Sequence, residues 1–264
     1  MQELTNAASE RLRSGDVALG VGVRITSSVA IARIMAAAGF DWLFIDLEHG
    51  SLSIESCAQV STAALDAGIA PLVRVPPQQH WLATRALEGG ALGIVMPNVQ
   101  SAEEARALVD VVKFRPVGRR NVGGPPIHTA YTPTKPDELA RMFNAVTIAV
   151  AMVETPEAID RVDEIASVDG IDVVMIGGND LSTTMGIGGQ TGDARMIGAF
   201  EQLTAACRQH GKWAGMGGVA NNEHLQKFIA MGVRFVLAGA DTGFLAAAAS
   251  QRAKAIRDMD APKD

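Results

Sequence analysis

AAAGFDWLFIDLEHG, residues 36–50, holds one complete unit of the fold. It begins with helix-period alanines that stop at Gly39, because glycine enters the left-handed region without a Cβ penalty and so ends helices. It continues as an apolar run at 42–47, WLFIDL, which is too short for a helix and reads as a buried strand. It closes on Asp46, Glu48 and His49, ionisable groups where the strand runs out.

The same unit recurs in both directions. Further strands are expected at 17–25, 71–75, 93–99, 146–154, 172–178, 212–218 and 234–240. The stretches between them have helical period, and several stop at glycine: Gly68, Gly90, Gly211 and Gly232. Eight strands alternating with eight helices predict the α/β class and a single (β/α)8 barrel spanning residues 1–264. Residues 6–13 predict an extra N-terminal helix across the barrel bottom. RPVGRRNVGGPPIHTAYTPTKP, 115–136, is the one long irregular stretch, and such a loop is expected to serve function.

Composition excludes other classes. The chain is 48% hydrophobic and 20% charged, which is globular and not disordered. No run approaches the ~20 apolar residues of a membrane span. The polar start lacks a secretory core, and Cys57 and Cys207 cannot make a disulfide framework, so a cytoplasmic protein is expected. Net charge is −6, aromatics are 5%, and no basic stripe exists, so no nucleic-acid partner is expected.

In a parallel barrel, chemistry gathers where the strands end. The expected tops carry Asp46, Glu48 and His49, then Arg74, Glu154, Asp180 and Asp241. Glu154 and Asp180 come from neighbouring strands. Two adjacent carboxylates repel unless a cation or proton lies between them, and a hard divalent ion suits them. Alternatively, each acid caps the helix that follows it. Asp46 lies three residues before His49 and can orient that imidazole as a base; Glu48 is expected to point away from it. Arg74, inside an apolar strand, either holds an anion or makes a structural ion pair. Gly177–Gly178 and Gly217–Gly218 offer bare N–H groups to a carboxylate. Of the six lysines, only Lys212 touches an expected strand, at its entering end, so a Schiff-base mechanism has no nucleophile.

These residues lie in FDWLFIDLEHG (40–50), VRVP (73–76), GIVMPNVQSAEEA (93–105), RPVGRR (115–120), AMVET (151–155), GIDVVMIGGNDLSTTMG (170–186) and AGADT (238–242). Together and in this order they resemble the HpcH/HpaI aldolase/citrate lyase family. The resemblance implies a metal-dependent lyase that reversibly cleaves a 4-hydroxy-2-oxo acid to pyruvate or hydroxypyruvate plus an aldehyde. Glu154 and Asp180 match the metal ligands, for Mg2+, Mn2+ or Co2+. Arg74 matches the residue holding the keto oxygen. His49, with Asp46, matches the base, acting through a metal-bound water. The backbone at Gly178, Asn179 and Asp180 matches the loop that receives the 2-oxo acid carboxylate. The family resemblance further implies a homo-hexamer, a trimer of dimers exchanging C-terminal helices, with Glu88 completing a neighbouring subunit's site. Departures occur at Met152, Glu88, Gly178, Asn121 and Gly217–Gly218, where family members often carry other residues.

Met216, Gly217 and the 115–136 loop are expected to shape the aldehyde pocket, with Arg119 or Arg120 available to a distal carboxylate. Three other readings compete. Oxaloacetate decarboxylation needs the same metal, arginine and carboxylate loop. A non-catalytic ligand-binding barrel predicts that these residues are lost, and they are present. A subunit acting on a CoA ester predicts a basic cluster, and the sequence has none.

Overall fold

The computed structural model describes residues 4–124 and 126–259. Its strands are β1 (Ala18–Val23), β2 (Trp42–Asp46), β3 (Ala70–Arg74), β4 (Gly93–Met96), β5 (Ile148–Val153), β6 (Val173–Gly177), β7 (Trp213–Gly217) and β8 (Val233–Ala240). They pair in parallel and in sequence order, and β8 returns to β1 to close the barrel. The expected (β/α)8 architecture is therefore present.

Helices α2 (Ala30–Ala37), α3 (Ile54–Ala67), α4 (His80–Glu88) and α5 (Ala102–Val112) follow the first four strands. After β5 come α7 (Pro156–Asp160) and α8 (Val162–Ala166); after β6 come α9 (Gly178–Thr184) and α10 (Ala194–Gln209). Helices α11 (Asn222–Met231) and α12 (Asp241–Met259) follow β7 and β8. Gly68 ends α3 at φ 71° and Gly232 ends α11 at φ 119°, a left-handed geometry that favours glycine.

The extra helix α1 (Ala7–Arg13) forms as expected. Asn6 caps it by accepting the Ser9 N–H, and its Nδ2 donates to the Val146 carbonyl at 2.7 Å. Ala8 and Leu12 pack into the barrel interior from below. Helix α6 (Pro136–Val146) precedes β5 at that same end.

Period-two alternation divides the strands between two cores. On β2, Trp42 and Phe44 point into the barrel, while Leu43 and Ile45 face the helices. The Trp42 indole stacks on Phe235 with ring centroids 4.0 Å apart, in space left by Gly20, where a Cβ would clash with the indole. Bulky side chains thus fill the lower barrel. Higher up, the inward positions at Gly177 and Gly217 are bare, which leaves room at the strand ends.

The 115–136 segment sits elsewhere than expected. It connects a helix to the next strand, and such links lie at the N-terminal end of a barrel. The His128 ring hydrogen-bonds the Ala91 carbonyl just before β4, at 3.1 Å. Arg120 pairs with Glu88 at the end of α4, at 2.8 Å, and its guanidinium lies over Phe114 and Phe143. Exposed Arg119 pairs with Asp110. The loop, both arginines and Glu88 therefore lie at the opposite end from Arg74 and Glu154 and cannot shape this chain's own pocket.

Helix α12 buries only Asp241 and exposes Leu245, Ile256 and Met259. Among the described residues, no helix is long and apolar enough to cross a membrane. Cys57 and Cys207 are buried free thiols that burial pushes up to about 12, so neither is a nucleophile at neutral pH.

Candidate active site

β2 and β3 end side by side, with Asp46 in register with Arg74. Both point inward, and a guanidinium buried to 5% exposure needs partners. Arg74 Nε donates to Asp46 Oδ1 at 3.0 Å and Nη2 to Oδ2 at 2.6 Å. Its Nη1 lies 3.2 Å from Glu48 Oε2, and the group sits over the Phe44 ring. Asp46 Oδ1 also accepts the N–H groups of Glu48 and His49, each at 3.1 Å. Arg24 Nε approaches Asp46 Oδ2 at 3.2 Å. Burial works against the Asp46 charge, but Arg74 and the two N–H donors outweigh it and hold the carboxyl below its usual range.

The expected Asp46–His49 side-chain pair does not form. Only the His49 backbone reaches Asp46, because the carboxylate oxygens are occupied by charged donors in register across the sheet. The imidazole is 61% exposed, and its Nε2 lies 4.0 Å from Glu48 Oε2. Glu48, expected to face away, turns toward His49 and Arg74. Burial and the charges of Asp46 and Asp180 raise its carboxyl pKa, against the pull of Arg74 and His49.

Glu154 follows β5 and is 7% exposed. Its Oε2 accepts the Asn98 N–H at 2.7 Å. Its Oε1 occupies the place of a Cβ on Gly177, which would lie 2.5 Å away. Burial above all, helped by the Asp180 and Glu48 charges, pushes this carboxyl up to about 7 against the opposing Asn98 N–H and Arg74. Asp180 stands in the first turn of α9, and its charge and that of Glu154 are close enough to interact.

Neither acid caps a helix. Thr155 caps α7 by accepting the Ala158 N–H, and α9 starts from Gly177 with no side-chain cap. Glu154 is thus an under-compensated buried carboxylate beside a second acid, which is the donor chemistry of a hard divalent ion. Among the described residues no group of three or more His, Cys, Asp or Glu side chains gathers, so an ion held here would have these two carboxylates as its protein ligands and would need further oxygen donors.

The substrate-facing expectations divide. Gly217 points inward, where a Cβ would meet Met175 Cε at 2.8 Å. Gly178 is bare because the Gly217 carbonyl lies 2.9 Å from where its Cβ would stand, and Asn179 follows it on α9. Met216 is one residue out of phase, faces the helices within the outer core and cannot line the pocket. Three residues at the site were not expected to act there. Arg24 looked like strand interior in VGVRIT, Glu48 like an outward side chain, and Asn98 carries its signal only in φ 52°, a left-handed geometry asparagine tolerates.

The sequence model of the HpcH/HpaI aldolase/citrate lyase family matches residues 25–248. A 4-hydroxy-4-methyl-2-oxoglutarate aldolase of Hapsidospora irregularis is 37% identical, over 96% of each chain. The hydroxypyruvate/pyruvate aldolase of Roseovarius nubinhibens is 33% identical, over 94% of this chain and 95% of that one. The crystal structure of an HpcH/HpaI aldolase from Desulfitobacterium hafniense superimposes with a TM-score of 0.89 at 30% identity, covering 94% of this chain and 96% of that one.

Proposed function

The chain belongs to the HpcH/HpaI aldolase/citrate lyase family, and we propose that it is a divalent-metal-dependent aldolase cleaving a 4-hydroxy-2-oxo acid to pyruvate or hydroxypyruvate plus an aldehyde. The observation that carries the metal reading is Glu154: buried, raised toward neutrality, and set beside Asp180 with Oε1 over a bare glycine. The small-molecule partners are the 2-oxo acid and the aldehyde.

Glu154 and Asp180 would hold the ion, here Mg2+, Mn2+ or Co2+, and the ion would supply positive charge to the oxygens of the 2-oxo acid while negative charge develops on cleavage. Arg74 faces the keto oxygen and steadies the developing enolate charge. Asp46 and Glu48 fix its fork, so little reorganisation is needed as charge shifts. The N–H groups at Gly178, Asn179 and Asp180 receive the carboxylate. His49, exposed at the rim, takes the proton from the C4 hydroxyl as the C3–C4 bond breaks; that bond's electron pair passes into the enolate, and the proton returned to C3 completes the 2-oxo acid product, the same transfers running backward in the synthetic direction.

The assembly proposed is a homo-hexamer. Its support is α12, whose Leu245, Ile256 and Met259 are uncovered in the single chain, consistent with exchange between subunits. Glu88, turned to the opposite end of its own barrel, would then serve a neighbour's site.

The test uses chelator-stripped protein and 4-hydroxy-2-oxo acids, following pyruvate release by a coupled assay with each metal added back. Metal-restored cleavage that Glu154→Ala loses is expected. Full activity without metal overturns the Glu154–Asp180 assignment. Turnover of oxaloacetate alone replaces the aldolase reading with a decarboxylase.

A further inference from the structure

Arg24 is a guanidinium at the site that the chemistry above leaves unused. It follows the last residue of β1, and pairing of Val23 with Ile45 sets it beside Asp46. Its backbone is fixed on both sides. Its N–H donates to Asp241 Oδ1 at 3.2 Å, and its carbonyl accepts the Ser51 N–H at 3.3 Å. Gly50 is bare where a Cβ would stand 2.8 Å from that carbonyl. A backbone held this tightly aims its side chain reproducibly.

The side chain itself is under-engaged. Its Nε lies 3.2 Å from Asp46 Oδ2 yet is buried without a hydrogen bond. Asp46 is already occupied by Arg74 and two backbone donors. Among the described residues neither Nη of Arg24 takes an ion-pair or hydrogen-bond partner, and the side chain is 40% exposed. An arginine with its inner edge against a carboxylate and its outer edge open is a planar fork for a second carboxylate. The surroundings make such a fork necessary for a dianion, since Glu48, Glu154 and Asp180 add negative charge to the same end of the barrel.

We propose that Arg24 is a specificity-determining residue of this reaction: its open guanidinium edge binds a distal carboxylate on the acceptor half of the substrate, so that this one side chain makes a 4-hydroxy-2-oxo dicarboxylate cleave in preference to the matching monocarboxylate. This rests on the aldolase reading and narrows its substrate class.

Two non-cleavable probes of equal chain length separate this from the chemistry. Calorimetry compares 2-oxoglutarate with 2-oxopentanoate, with and without Mn2+. Wild type is expected to bind 2-oxoglutarate at least roughly tenfold more tightly, as one charge-assisted fork provides. Arg24→Met abolishes the preference and Arg24→Lys retains part of it. Turnover then compares 4-hydroxy-2-oxoglutarate, which yields pyruvate and glyoxylate, with 4-hydroxy-2-oxopentanoate, which yields pyruvate and acetaldehyde. The ratio of their kcat/KM values is expected to fall by roughly ten- to a hundredfold in Arg24→Met. Wild type without preference for 2-oxoglutarate overturns the proposal. So does an equal loss on both substrates with the ratio unchanged, since that marks Arg24 as a support for Asp46. Binding preference with no cleavage of either substrate keeps the anion site and overturns the aldolase reading instead.

Discussion

Asp46 grips Arg74 at two points, Nε to Oδ1 at 3.0 Å and Nη2 to Oδ2 at 2.6 Å, with both side chains buried. Asp46→Asn keeps the shape and removes the charge that balances a buried guanidinium. The expected cost is about 3–5 kcal/mol in urea unfolding, with kcat/KM falling in parallel. The Asp46 pKa is depressed in the fold, so its contribution is full above the unfolded value of 3.8 and is lost as pH falls through the lower folded value. An unfolding midpoint unchanged by Asp46→Asn would contradict this.

Glu154 has the opposite sign. Its folded pKa is raised to about 7 from 4.5, so the native state binds the extra proton and metal-free stability falls as pH rises between those values. Melting of stripped protein is expected to be higher at the acidic end of that window, by at most about 3 kcal/mol of stability. Glu154→Gln flattens the profile, and Mn2+, which requires the carboxylate, reverses it.

Gly177→Ala places a methyl 2.5 Å from Glu154 Oε1 while the backbone φ of −84° tolerates alanine. The strand is expected to persist and the carboxylate to move. The apparent metal constant, read by titrating Mn2+ against pyruvate release, is expected to weaken by roughly 10–100-fold, the usual cost of disturbing a ligand's support.

His49 stands exposed, with Glu48 Oε2 4.0 Å from its Nε2. His49→Ala is expected to lower kcat by roughly 10²–10⁴-fold, the range for a proton-transfer group, with KM for the 2-oxo acid little changed. A KM effect without a kcat effect would make His49 a binding residue.

The barrel was legible because short apolar runs alternate with helix-period stretches, several of them stopped by glycine, and because several runs end on ionisable residues, as in 36–50. Asp46, Arg74, Glu154 and Asp180 were legible because strand tops are where such residues face a cavity. What was not legible depends on neighbours far apart in sequence. Asp46 and His49 suggest a pair by spacing, but sheet register delivers Arg74 to Asp46 first. Met216 fails by one step of a period-two strand. The 115–136 loop was misplaced despite a usable signal: a segment between a helix and the next strand belongs to the barrel's entering end. Arg24 went unnoticed because its strand ends at Val23, two residues short of the expected 17–25 run.

Asp241 accepts the backbone N–H groups of Arg24, Ile25 and Thr26, at 3.2, 3.2 and 3.0 Å, from the first residue of α12. The chain's last long helix is therefore bolted to the exit of its first strand. Loosening α12, by truncation or by a helix-breaking substitution, slackens the three residues that carry Arg24. Disturbing α12 is therefore expected to surface as altered discrimination between acceptors before it surfaces as unfolding, because the helix start and the Arg24 backbone share one hinge.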